Sequence, residues 1–260
     1  MSSPMSPTEP WDKLTKLGFD ESPRGVHTSR TMMFEELEAV MNGLEAPRSQ
    51  RQVRSAVVDG NICGKPTYSS RTETASKLIS LYSFDQCAEL YVAFESLWGQ
   101  ANESRRVLAV LLACCRDSVL RLTATAILSA PPGVAVQKDS VYSCVAKGFS
   151  KYTETTLRSV SRNVMASWKQ SGHLDGRKEP IRAKAPSDYL AVTFAVLISI
   201  LRGDRGIEVF QSPWVALLDL TPSELEVSLQ EANRAGLITY RRIGNVVELA
   251  VGPNMKEVTS

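Results

Sequence analysis

The chain has 260 residues, 43% of them hydrophobic and 22% charged, with a formal net charge of +2. That length can bury a full core and hold roughly one to three compact modules. So even a balance excludes a global field drawing the chain to nucleic acid or membrane, and any such affinity must come from local clustering.

Residues 1–30 hold Pro4, Pro7, Pro10 and Pro23 among Ser, Thr and charged residues, and read as a loosely ordered leader. Trp11, Leu14, Leu17 and Phe19 can dock it as a short helix. The leader lacks a basic segment followed by an apolar stretch, so no secretory signal is expected. Residues 31–44 place Met33, Leu37, Val40, Met41 and Leu44 at helical spacing, with Pro47 barring continuation. Residues 49–58 form a second helical candidate, on which Arg48, Arg51 and Arg54 recur every three residues. Ser70, with Glu73 as its capping-box partner, opens a helix to Leu81. Another follows over residues 85–98, with Leu90, Phe94, Leu97 and Trp98 in its stripe. Residues 103–128 are apolar nearly all round in their first half, which suits the centre of a bundle, with a break at Asp117-Ser118.

Ala130-Pro131-Pro132-Gly133 cannot continue a helix and marks a module boundary. A short helix over residues 138–149 leads to the stretch on which the functional reading rests, residues 151–184. It carries eight Lys/Arg and three Asp/Glu, an excess larger than the charge of the whole chain. Thr153 can cap a helix in which Leu157, Val160, Val164 and Trp168 make one apolar stripe. Arg158, Arg162 and Lys169 fall on a different face. Gly172 suits the helix end, Asp175-Gly176 a tight turn, and Arg177, Lys178, Arg182 and Lys184 follow. Two helices and a basic hairpin give the order of a winged helix-turn-helix that reads DNA. An amphipathic helix with a solvated charged face is the alternative.

Residues 187–201 read as a buried helix. Its apolar run from residue 189 to 201, interrupted by Thr193 and Ser199, is too short to span a bilayer. A strand or turn at 207–210 and a helix at 213–218 follow. Thr221-Pro222-Ser223-Glu224 is an N-terminal signature for a helix ending at Gly236. Residues 237–240 and 246–251 are β-rich runs around Arg241-Arg242-Ile243-Gly244-Asn245, completing a second helix–helix–wing order. Glu224, Glu226 and Glu231 on its third helix would repel phosphate, so this module reads as a packing or protein-contact element.

Catalytic constellations are missing from the sequence. It has no GxxxxGK[ST] or GxGxxG loop and no GxSxG elbow. Cys63, Cys87, Cys114, Cys115 and Cys144 form no CxxC pair, and only His27 and His173 could supply imidazole. No metal or cofactor is therefore expected. Cys114-Cys115 reads as core in a reducing cytoplasm. His173 reads as a helix-end or wing residue, Asp204 as a turn, and Trp168 as core before base-stacking. Arg48, Arg51, Arg54, Arg241 and Arg242 are secondary DNA-binding candidates, and Arg105-Arg106 could add further phosphate contacts. Singly, each is equally a solvated charge.

Several scattered positions also fit a known pattern: Arg51 and Arg54, the Asn61 loop, Ser69-Ser70-Arg71, Arg105-Arg106, Cys114-Cys115-Arg116-Asp117, Arg162-Asn163-Val164, Trp168 and Ser171-Gly172-His173-Leu174. In these the chain resembles the BrxA family of the BREX bacteriophage-exclusion systems. The resemblance implies a bundle like that of the antitermination factor NusB with winged-helix character, double-stranded DNA binding and no enzymatic activity. It also implies an accessory role in phage defence beside a methyltransferase and an ATPase. The leader and the elements after Pro186 lie outside it. The expectation is therefore a mainly α protein: leader 1–30, helical bundle 31–130, basic winged-helix-like module 131–185 and C-terminal winged-helix-like module 186–260. A winged-helix transcriptional regulator and a helical protein-interaction scaffold are the alternatives.

Overall fold

A computed structural model describes the backbone of residues 9–22, 25–244 and 246–259, and side chains from residue 12 onward within those spans. The protein is mainly helical, with two small antiparallel hairpins. The expectations on Pro4, Pro7, Pro10, Trp11 and Pro23 fall outside the described residues or side chains.

Two helices with almost no polar residue lie at the centre. In α6 (Arg105–Arg116) every side chain from Val107 to Cys115 is buried, and in α10 (Tyr189–Arg202) the same holds from Leu190 to Ser199. They pack on each other and on α5 (Glu89–Gln100), where Phe94 meets Phe194 at 5.9 Å between ring centres. Around them run α2 (Phe34–Gly43), α3 (Gln50–Val58) and α4 (Tyr68–Tyr82). The α4 start differs from expectation. Thr67, not Ser70, caps it, because Ser70 completes a capping box with Thr67 one turn earlier. Glu73 instead pairs with Arg30 at 2.7 Å.

From residue 9 the leader is built into the fold, in place of the loose segment expected. It forms α1 (Glu9–Leu17), buries Phe19 and enters a 3-10 turn at Val26–Thr28. Gly25 lies so close to the Asp117 carboxylate that an added Cβ would overlap it.

The expected break at Asp117 is present. Its carboxylate accepts from the N–H groups of Val119 and Leu120, both at 3.0 Å, and so starts α7 (Ser118–Leu128). After the tandem proline, Ala135 bridges Ile181, and the chain continues through α8 (Lys138–Gly148) and α9 (Glu154–Gln170). The hairpin of β1 (Leu174–Asp175) and β2 (Ile181–Arg182) follows. With the Val136 N–H donating to Pro180 O and the Arg182 N–H to Val134 O, residues 134–136 make a third edge on this small sheet.

Beyond α10 the expected strand at 207–210 is a 3-10 helix, Gly206–Gln211, which packs against β4. Then come α11 (Pro213–Ala216), α12 (Pro222–Arg234) with the expected Thr221–Glu224 capping box, β3 (Ile238–Ile243) and β4 (Val246–Val251). A last helix, α13 (Pro253–Thr259), lies on α5 and buries Met255. One apolar core runs from Phe19 to Met255 through both helix–hairpin units. Among the described residues no helix is long and apolar enough to cross a membrane.

Candidate nucleic-acid interface

The α9 helix has two faces because its apolar residues recur every four positions. Val160, Val164 and Trp168 are buried, and the Trp168 indole N–H donates to Thr123 Oγ1 at 2.9 Å. Capping by Thr153 sets the helix start. On the other face Arg158, Ser161, Arg162, Met165, Ala166 and Lys169 form one wall of a concave groove of about 640 Å³. α8 supplies Lys138, Asp139 and Tyr142 to the opposite wall, and the turn between β1 and β2 supplies Arg177, Lys178 and Pro180. Six cations thus face one carboxylate, Asp139.

Lysines from both helices fix the turn. Lys169 Nζ donates to Gly176 O at 2.6 Å, and Lys138 Nζ reaches Lys178 O at 3.4 Å. Gly176 is required there: its φ is +84°, and a Cβ would run into Glu179 O. With their backbone latched, Arg177 and Lys178 point outward and are exposed. Arg158 pairs with Glu154 at 2.6 Å, and that hydrogen bond raises its pKa above the usual arginine value. Both partners are about 70% exposed, so the pair leaves Arg158 free to exchange partners. Asn163 and Gln170, the amides near this face, are used elsewhere: Asn163 donates to His27 O, and Gln170 bridges Thr31 and the Phe34 N–H.

Of the seven expected contacts, Arg158, Arg162, Lys169, Arg177 and Lys178 are brought together, while Arg182 and Lys184 are not. Arg182 is 1% exposed, so the expectation for it is corrected. The residue follows half-exposed Ile181 in β2, so its side chain turns inward to His173 O, Ala183 O and Asp219 at 2.7 Å. Lys184 lies on a different groove and is held at 2.7 Å by Glu224 of α12. Among the secondary candidates, Arg48 is also turned inward, to Glu95 Oε1 at 3.1 Å and Met41 O at 2.7 Å. Arg51 and Arg54 are exposed on α3, outside the groove. Arg105 lies over the Trp98 ring, and Arg106 over Phe34 while donating to Gln170 O. Arg241 and Arg242 sit on the second hairpin, 4.0 Å from Glu248 and 3.7 Å from Glu226 respectively. Lys138 and Tyr142 were missed, since nothing in the sequence around them shows that the hairpin returns to α8.

Both histidines are internal. His173 is fully buried, with its Nε2 on Leu217 O and its Nδ1 on Ser171 Oγ, both at 2.8 Å. Burial lowers its pKa from 6.5 to about 4, and the Arg182 charge pushes the same way. A neutral ring can donate from Nε2 while Nδ1 accepts from the serine hydroxyl. His27 lies between Asp117 Oδ2 and Ser167 Oγ, each at 2.8 Å. This chain has the residue types of a hydrolase triad but not its access. All three side chains are 0% exposed, and Ser167 Oγ is already engaged by the Met32 N–H and Asn163 O. Burial raises the Asp117 carboxyl, but the His27 ring and the backbone N–H groups of Leu120 and His27 hold it lower, at about 2. The chain joins the leader, the start of α7 and the back of α9. Comparison with family models, curated proteins and solved structures returned no match.

Proposed function

We propose that the protein binds double-stranded DNA in the groove between α8, α9 and the first hairpin, as a winged-helix reader without catalytic activity of its own. The observation that carries this reading is the ratio of six cations to one carboxylate in a single concave surface on a near-neutral chain. Cations so grouped neutralise phosphates and release counterions, the sequence-independent source of DNA affinity. Little sequence preference goes with it. No Asn or Gln lines the groove, and the two amides nearest to it are committed to the leader.

The residue pattern shared with the BrxA family supports a setting for this activity, an accessory role in BREX-type phage defence in the cytoplasm, with a methyltransferase and an ATPase as partners. Gel shifts over a salt series test the binding itself. With about six phosphates neutralised, affinity falls about a thousandfold between roughly 50 and 200 mM salt. Binding that stays flat over that range overturns the reading. For the setting, deletion of the gene should abolish phage resistance. A change in promoter output with resistance intact would make the protein a regulator instead.

A further inference from the structure

The outer half of the β3–β4 hairpin stands clear of the body. Arg241, Arg242, Ile243 and Gly244 are exposed on the way out, as are Val246 and Glu248 on the return, whereas Ile238, Tyr240 and Leu249 nearer the base are buried. Three cross-strand pairs therefore project, roughly 10 Å of ribbon. The outermost pair is Ile243 with Val246. At 82% and 73% exposure they are the most exposed large apolar side chains among the described residues. Strand alternation puts both on the face that carries Arg241 and Glu248, while Arg242 faces the other way.

Single exposed apolar residues are ordinary, and a β-branched cross-strand pair helps to hold a ribbon. This pair differs in its place, at the tip of a narrow projecting arm with two arginines directly behind it. A minor groove about 6 Å wide excludes a helix but admits such a tip. Apolar side chains there can wedge between base steps and kink the duplex, while nearby arginines are drawn by the negative potential of the groove. Neither arginine is tightly held, being 4.0 and 3.7 Å from its carboxylate. The cationic flanks favour DNA as the occupant over an apolar protein surface.

We propose that the Ile243–Val246 tip, flanked by Arg241 and Arg242, is a minor-groove wedge that bends DNA held in the α8–α9 groove. The inference rests on the DNA-binding reading above. The groove supplies affinity and the ribbon supplies deformation.

Energy transfer between dyes at the two ends of a short duplex, measured with the full chain at saturation, reads the bend. Ile243→Thr with Val246→Thr keeps the β-branched shape while removing the apolar wedge. This variant should bind about tenfold more weakly and return the energy transfer to that of free DNA. Arg158→Ala with Arg162→Ala should bind more weakly yet still bend the duplex once saturated. If the threonine pair melts lower than the parent, Arg241→Ala tests the same contact, lowering the salt slope by about one unit. A threonine variant that binds and bends like the parent overturns the wedge and leaves the groove standing, as does a parent that binds without bending. An unchanged bend with an altered oligomeric state would assign the tip to protein contact and also overturn it. A parent that does not bind DNA at all overturns both.

Discussion

Helices α9 and α12 hold the same place in two successive helix–helix–hairpin units, yet they present opposite charges. On α9, Arg158 and Arg162 look into an open groove with little to neutralise them. On α12 the acidic residues are largely spent within the protein. Glu224 closes the capping box and grips Lys184, and those bonds lower its pKa to about 2. Glu226 accepts from the Tyr240 hydroxyl at 2.7 Å. Order of elements thus sets where a face lies, and the charge on the face decides what it meets. The second unit is barred from phosphate along its helix, which leaves its ribbon as the part able to approach DNA.

The contrast between the faces breaks most readily at its apolar side. Trp168→Ala should cost about 3–5 kcal/mol, because it empties a fully buried site and orphans Thr123. Denaturant unfolding measures this, and a variant of normal stability that no longer binds DNA would show that the two faces of α9 had been exchanged.

The contact between the two units should be sensitive to acid. An unfolded chain protonates His173 near 6.5 and the folded chain only near 4, so the unfolded state binds more protons between those values. The stability contribution is intact above pH 6.5 and drains away as pH falls toward 4, amounting to about 3 kcal/mol in all. Asp117, at about 2, begins to lose its own contribution only near and below its ordinary value of 3.8. Urea unfolding at pH 7 and 4.5 should therefore show the loss in the parent and a flatter profile in His173→Gln. Equal losses in both would place the sensitivity elsewhere.

On the charged side, Arg158→Ala with Arg162→Ala should leave stability within about 0.5 kcal/mol. The same pair should lower the salt slope of DNA binding by roughly two units. A much lower melting temperature would mean that these arginines hold the fold. The smallest effect belongs to α12: Glu231→Gln should alter DNA affinity by less than about twofold, whereas a large gain would put that helix against phosphate.

What the sequence disclosed was local. Thr153, the Thr221–Glu224 box, the tandem proline and the four-residue spacing of Val160, Val164 and Trp168 act within one turn or one face. They placed both helix–hairpin units and five of the groove cations. The signals that failed depend on distant partners or on orientation. β2 has only two residues, too few for alternation to show that Arg182 faces inward. Arg48 looks like one member of an exposed arginine series until α5 brings Glu95 to it. His27, Asp117 and Ser167 are 90 and 140 positions apart along the chain and share no spacing that would announce their contact.

That last contact bears on the order in which the protein matures during synthesis. The 3-10 turn at Val26–Thr28 leaves the ribosome early, but the hydroxyl that completes the environment of His27 belongs to Ser167, made much later. Until then His27 and the Met32 amide lack a partner they have in the finished protein. The N-terminal end therefore stays open while the bundle helices are translated, and it seals only when α9 arrives. Nascent chains halted before Ser167 should be cut by protease within residues 25–32, and chains extended past the first hairpin should resist. Early protection would show that the bundle closes without α9.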